Sequence, residues 1–254
     1  FKGKFDGNNH EIFGLKVEID DWNVGLFGCI NSGSVKNVRI CSGSVKASEY
    51  YAGGIVGDLN YSTMENCTAS VNVSGKANVG GLVGSITGST ISNCHFLSGE
   101  IVGEGDGSWD GERVGGIVGC AQGSNSNVTN CSANASVKGT EKVGGLCGWF
   151  GNGNHKFSNC TMKGIVTVTG NSCGGLVGNL YDSNGTFESC QFEGSIKKYG
   201  DNVSNTGIAI GADLSNVTFS ECECIIDSHT YMTLGGHESG SKDDDYIGIE
   251  VIVK

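Results

Sequence analysis

Proline is absent from this 254-residue chain, and charged residues make up only 17% of it. The 44 glycines follow no G-X-Y period, so a collagen-like rod is excluded. Aliphatic residues recur along the whole length, which argues against a disordered chain. No stretch approaches the roughly 18 consecutive apolar residues that a membrane span needs, so no direct membrane insertion is expected. Acidic residues outnumber basic ones 27 to 16, for a net charge of −11. An anionic surface repels nucleic acid, so no nucleic-acid partner is expected either. The chain begins with Phe1 and shows no signal-like segment, and it reads as part of a larger chain.

What the sequence has in abundance is self-similarity. The segments NVGLFG (23–28), AGGIVG (52–57), VGGLVG (79–84), VGGIVG (114–119), VGGLCG (143–148), CGGLVG (173–178) and TGIAIG (206–211) recur with spacings from 27 (57 to 84) to 35 (84 to 119). A second landmark follows 10 to 12 residues after each copy: ENC at 65–67, SNC at 92–94, TNC at 129–131, SNC at 158–160, ESC at 188–190 and SEC at 220–222, with Asn37-Val38 in that slot of the first copy. Three residues before it sits an apolar residue: Val35, Met64, Ile91, Val128, Phe157, Phe187 and Phe219. Fixed order, seven times, identifies a repeat array.

Val, Ile, Phe and Thr dominate between the glycines, and such residues favour pleated strands. Stretches such as 131–137 alternate apolar and polar with period two, and no window carries a capped helical stripe. About three short strands fit each repeat. One such coil cannot bury its own inner face, and stacking the next coil about 4.8 Å above it completes both core and hydrogen bonding. The expected fold is therefore all-β: a right-handed parallel β-helix (β-solenoid) of about seven coils with capping strands at both ends. It forms one domain over 1–254, with an N-terminal cap at 1–22, repeats over 23–225, and a C-terminal loop and capping strand over 226–254. Within a coil, Leu82, Gly84 and Ile86 share one face, taken as core. The alternate column (Phe27, Val56, Val83, Val118, Val177) is also apolar, which means either a bend or a second covering surface. Asn66, Asn93, Asn130 and Asn159 are read as sharp turns, since Asn tolerates left-handed backbone.

The GG[LI]VG core, its Asn-Cys partner and the lead-in FKGKFDGNNHEIFGL resemble the GLUG-motif repeats of bacterial surface proteins, over residues 1 to 225. Similar repeats are found in large adhesins and in non-catalytic regions of immunoglobulin-A-cleaving metallopeptidases. The resemblance implies a cell-surface, extracellular location and a β-helical adhesion or stalk module. It implies no active site, because the motif consists of packing residues.

Among residues able to carry chemistry, Cys67, Cys94, Cys131, Cys160, Cys190 and Cys222 form one column. They are read as a buried ladder of free thiols, since neighbours stacked side by side suit the disulfide dihedral poorly and cysteine is a favoured core residue. The longest interval holds Asp106, Ser108, Trp109 and Asp110. Asp106, Ser108 and Asp110 start like a calcium loop, but Ile117 stands where the bidentate Glu belongs, so a solvated acidic loop is the main reading and no metal is expected. Trp109, with Asp106 and Asp110, is the leading candidate for ligand contact, because solenoid insertions map to loops and exposed aromatics anchor binding. Trp22, Trp149 and Tyr199 are further aromatic candidates. The five histidines belong to no motif, and HExxH, GxSxG and P-loop patterns are absent. No catalytic residue and no cofactor are assigned. The function expected is a non-catalytic module binding a host or cell-wall glycan or protein. The alternatives are a polysaccharide-cleaving β-helix enzyme and a passive spacer.

Overall fold

A computed structural model describes residues 1–105, 112–199, 206–207, 209–211, 217–226 and 229–233. These residues form strands and turns with no helix, arranged as a parallel β-solenoid with about seven turns. The column Val24, Ala52, Val79, Val114, Val143, Cys173, Thr206 marks the turns one by one. Three sheets run along the axis. In the third coil the strand Ala77–Gly80 belongs to the narrow sheet. Val83–Thr87 and Thr90–Ser92 belong to the first broad sheet, and His95–Ser98 and Glu100–Gly103 to the second. The expected three strands per coil are thus three sheets, two of which bend in mid-course.

The bends have a common backbone cause. Three corners per coil place a residue in the left-handed region. One column is Asn37, Asn66, Asn93, Asn130, Asn159, Ser189 and Glu221, with φ between 51° and 55°. This is the Asn-Cys landmark, and the left-handed turn expected of Asn66, Asn93, Asn130 and Asn159 is what forms. A second column holds Asn23, Tyr51, Asn78, Lys142 and Ser172, and a third Ser32, Tyr61, Gly88, Gly123 and Asn152. The paired glycines serve a different end. A Cβ on Gly80 would lie 2.0 Å from the Val83 carbonyl oxygen, and one on Gly81 would lie 2.2 Å from that of Gly116. Only glycine lets the narrow sheet fold back so tightly onto the next strand.

The core is built of columns in register. Val35, Met64, Ile91, Val128, Phe157 and Phe187 stack on one another, all fully buried, and Phe219 continues the column. Ile30, Leu59, Ile86, Ala121, Phe150 and Leu180 make a second column. Phe150 lies parallel to Phe187 with centroids 5.4 Å apart, and Phe187 stacks on Phe219 at 5.2 Å. Leu82 and Val83 are both fully buried. The alternate apolar column is covered at Val56, Val83, Val118 and Val177 and only partly at Phe27.

Strands stand at both ends of the stack. Residues 1–22 do not fold as a separate unit: Lys4–Asp6, Glu11–Ile12 and Leu15–Ile19 each pair in parallel with the next coil. They continue the stack as its first part-coil, because Phe5, Ile12 and Val17 fall in the same inward columns as Val35, Ile40 and Val45. At the other end His229–Thr233 runs antiparallel to Cys222–Ile226. The expected terminal strand over 246–253 lies outside the described residues.

Candidate binding surface

The insertion that drew attention in the sequence, with Asp106, Ser108, Trp109 and Asp110, lies outside the described residues. Its base is described. The Glu112 carboxylate, only 2% exposed, accepts a hydrogen bond from the Gly105 amide at 2.5 Å and another from the Thr140 amide. Burial raises its pKa, and the amides that donate to it oppose the shift. The interval is therefore closed at its root by one buried carboxylate bridging two coils. Among the described residues no three His, Cys, Asp or Glu side chains converge on a point that would hold a metal.

Aromatic side chains gather instead on the first two coils. Trp22 is 54% exposed, and its ring centroid lies 5.0 Å from Tyr50 and 6.2 Å from Tyr51. Tyr61 is 60% exposed. Its ring lies against Gly88 of the next coil, where an added Cβ would come within 2.7 Å of the ring, and its hydroxyl lies 3.2 Å from Ser124 Oγ. The ring thus abuts Gly88 and is tied at its tip, while most of it meets solvent. Tyr51 and Tyr61 also share a backbone anomaly, with φ of 64° and 46°. Bulky residues seldom occupy that region, and each such placement costs on the order of 1–3 kcal/mol. The same corners in other coils carry Asn, Lys, Ser or Gly. Among the described residues only the second coil sets an aromatic at both of these corners, Tyr51 within the strand Tyr50–Gly53 and Tyr61 just after the strand Val56–Asn60.

Between these corners runs an outer row on the first sheet: Cys29, Asp58, Ser85, Cys120, Trp149 and Asn179. Corner residues of the narrow sheet cover it, which explains why Ser85 and Cys120 are fully buried. Burial raises the pKa of Asp58; the Asn60 amide, 2.5 Å from its Oδ2, opposes the shift. Arg113 lies over the Trp149 ring at 4.3 Å and donates to Asn78 Oδ1 at 3.0 Å. A Cβ on Gly151 would sit 1.9 Å from that ring. Trp149, a candidate for ligand contact from the sequence, is held as packing between Arg113 and Gly151. Tyr199 is 58% exposed and stands near the other end of the molecule, away from the cluster.

The six-cysteine column is buried and its thiols are free. Each thiol faces the carbonyl two residues back, with Cys67 to Glu65 O, Cys94 to Ser92 O and Cys131 to Thr129 O all at 3.2 Å. Sulfur therefore serves the left-handed corner that precedes it. A second buried polar column was not read from the sequence. Ser62, Ser89 and Ser126 turn inward at another corner, where Ser62 N donates to Ser89 Oγ at 3.0 Å and Ser89 N to Ser126 Oγ at 3.3 Å. The signal was present, since each stands two residues before Met64, Ile91 and Val128. His155 occupies the next place in that column, 1% exposed, with Nδ1 unpartnered and its ring edge-on to Phe150 at 5.4 Å. Burial lowers its pKa.

Comparison with known proteins agrees with the repeat. The GLUG motif matches residues 48–74, 75–102 and 110–138. No curated protein matches the chain in sequence. A crystal structure from Bacteroides ovatus, described as that of a candidate immunoglobulin A1 protease, is similar in fold with a TM-score of 0.55 at 20% identity. The similarity covers 93% of this chain but only 65% of that one.

Proposed function

We propose that this chain, which carries GLUG repeats, is a non-catalytic module of the cell surface that binds a glycan on the outer face of its first two coils. One observation carries the reading: tyrosines stand at two of the three left-handed corners of the second coil, near the exposed Trp22. Strained backbone persists where the surrounding structure holds it and where function uses it. Tyr61 is exposed and Tyr51 is half-buried beside Trp22. Asn60 and Asp58 lie between them. The apolar C–H face of a sugar ring packs on an aromatic ring while its hydroxyls bond to such neighbours. The extracellular location rests on the resemblance to surface-protein repeats, and the non-catalytic reading on a motif built of packing residues.

The test is a glycan array probed with the intact protein, with Trp22→Ala/Tyr50→Ala, and with Trp109→Ala. Specific binding lost in the double variant and kept in Trp109→Ala is the expected result. Loss in Trp109→Ala alone would move the site to the insertion. Silence of the intact protein across the array would overturn glycan binding.

A further inference from the structure

The fixed Tyr61 ring borders a groove of about 470 Å³ that crosses the first three coils. Eleven residues line it, among them Lys2, Lys4, Ser34, Thr63 and Thr90, and none is acidic. In a chain with net charge −11 that composition is a local exception. A second groove, along the other broad sheet, has Glu18, Glu100 and Glu104 against Lys46 alone. Lys4, Ser34, Thr63 and Thr90 are in register, one per coil, so an ammonium heads a row of hydroxyls at strand spacing, about 4.8 Å per step. Neither Lys2 nor Lys4 makes an ion pair among the described residues, whereas Lys36, one coil on, is held by Asp6 at 3.2 Å. The hydroxyls and the exposed Tyr61 ring line the groove together.

We infer that this groove binds a carboxylate-bearing sugar residue, a uronic or sialic acid unit, within a glycan. The two free ammonium groups meet the carboxylate, the hydroxyl row bonds the sugar hydroxyls, and Tyr61 stacks on the ring. The inference rests on the glycan-binding reading for its biological setting and shares Tyr61 with it, but the groove's lysines and hydroxyls are separate from the Trp22–Tyr50 cluster. An acidic peptide would use the lysines equally well but would have little use for a row of hydroxyls beside a fixed aromatic ring.

The experiment titrates the intact protein with a tetragalacturonate, with a neutral galactotetraose and with tetraglutamate, following backbone amide shifts and affinity. Tetragalacturonate should move the amides of Tyr61, Gly88 and Thr90, and should bind about tenfold more weakly to Lys2→Ala/Lys4→Ala, the loss expected for two exposed ion pairs. The same binding should weaken as salt is raised, while any neutral binding is unaffected by the double substitution. Both lysines are exposed, so the variant keeps its fold, and an unchanged amide spectrum checks this. Equal affinity for the acidic and neutral sugars, or groove amides that stay still, would overturn the inference. Tetraglutamate binding as tightly as the sugar would overturn the sugar assignment. Failure of Trp22→Ala/Tyr50→Ala to affect the array, with the groove shifts intact, would remove the aromatic-cluster reading and leave this one standing.

Discussion

Replacing Phe187 with alanine removes a ring that is fully buried and sandwiched between coils. It lies 5.4 Å from Phe150, 5.8 Å from Phe157 and 5.2 Å from Phe219, nearly parallel to the first and last. Truncating a buried phenylalanine costs about 3–5 kcal/mol, from lost transfer energy and the cavity left behind. The stacked backbones on either side are tied by continuous hydrogen bonding from Cys147–Ser158 to Val177–Glu188, so the site cannot collapse to fill the gap. The full range is therefore expected. A solenoid adds a second expectation, because each coil contacts only its neighbours and the damage should stay local. Hydrogen exchange resolved by coil measures both. Protection in Cys147–Ser158 and Val217–Ser220 should fall roughly 150- to 5000-fold, while Ser34–Lys36 is unchanged. Phe187→Leu should recover most of the loss. A total cost below about 1 kcal/mol would refute the ring's place in the core. Equal loss of protection in every coil would refute the nearest-neighbour argument.

Two further outcomes follow from buried groups. Ten of the twelve thiols are buried and only Cys29 and Cys41 are partly exposed, while burial pushes Cys120 and Cys173 up to about 12. A thiol reagent at neutral pH should label two cysteines in the native protein and all twelve in denaturant without reductant; a lower denatured count would reveal a disulfide. His155 has its pKa lowered by burial from an ordinary value of 6.5, so the unfolded chain takes up its proton first as pH falls. Its contribution to stability is complete above about 6.5 and is lost as pH falls through the lowered folded value. Denaturation of His155→Ser, which restores the residue type of that column, should show a weaker pH dependence below 6.5 than the parent; identical pH profiles would place the acid sensitivity elsewhere.

Much of the architecture was legible in the residues themselves. Val35 through Phe219 could be aligned by spacing because inward side chains must recur once per coil, and Asn66 or Asn93 could be assigned left-handed backbone because few other residues accept it. The paired glycines were legible as punctuation, yet their reason, a carbonyl oxygen about 2 Å from where a Cβ would stand, exists only once coils are stacked. In the N-terminal segment the strands pair in parallel with residues 28 to 30 positions away, a partnership that local sequence does not reveal.

The binding surface was legible least of all. Exposed aromatics and lysines carry no periodic signal, since solvent does not constrain their spacing as a core does. Sequence spacing alone determined that this chain is a stack of β coils with cysteine, asparagine and apolar residues in fixed columns. Only the tertiary structure decided which departures from those columns share a face. It set Tyr51 and Tyr61 at strained corners of one coil, and brought Lys2 and Lys4 of the first part-coil together with Thr90 of the third coil. Proximity between coils depends on lateral packing and corner geometry, neither of which is written in any one repeat.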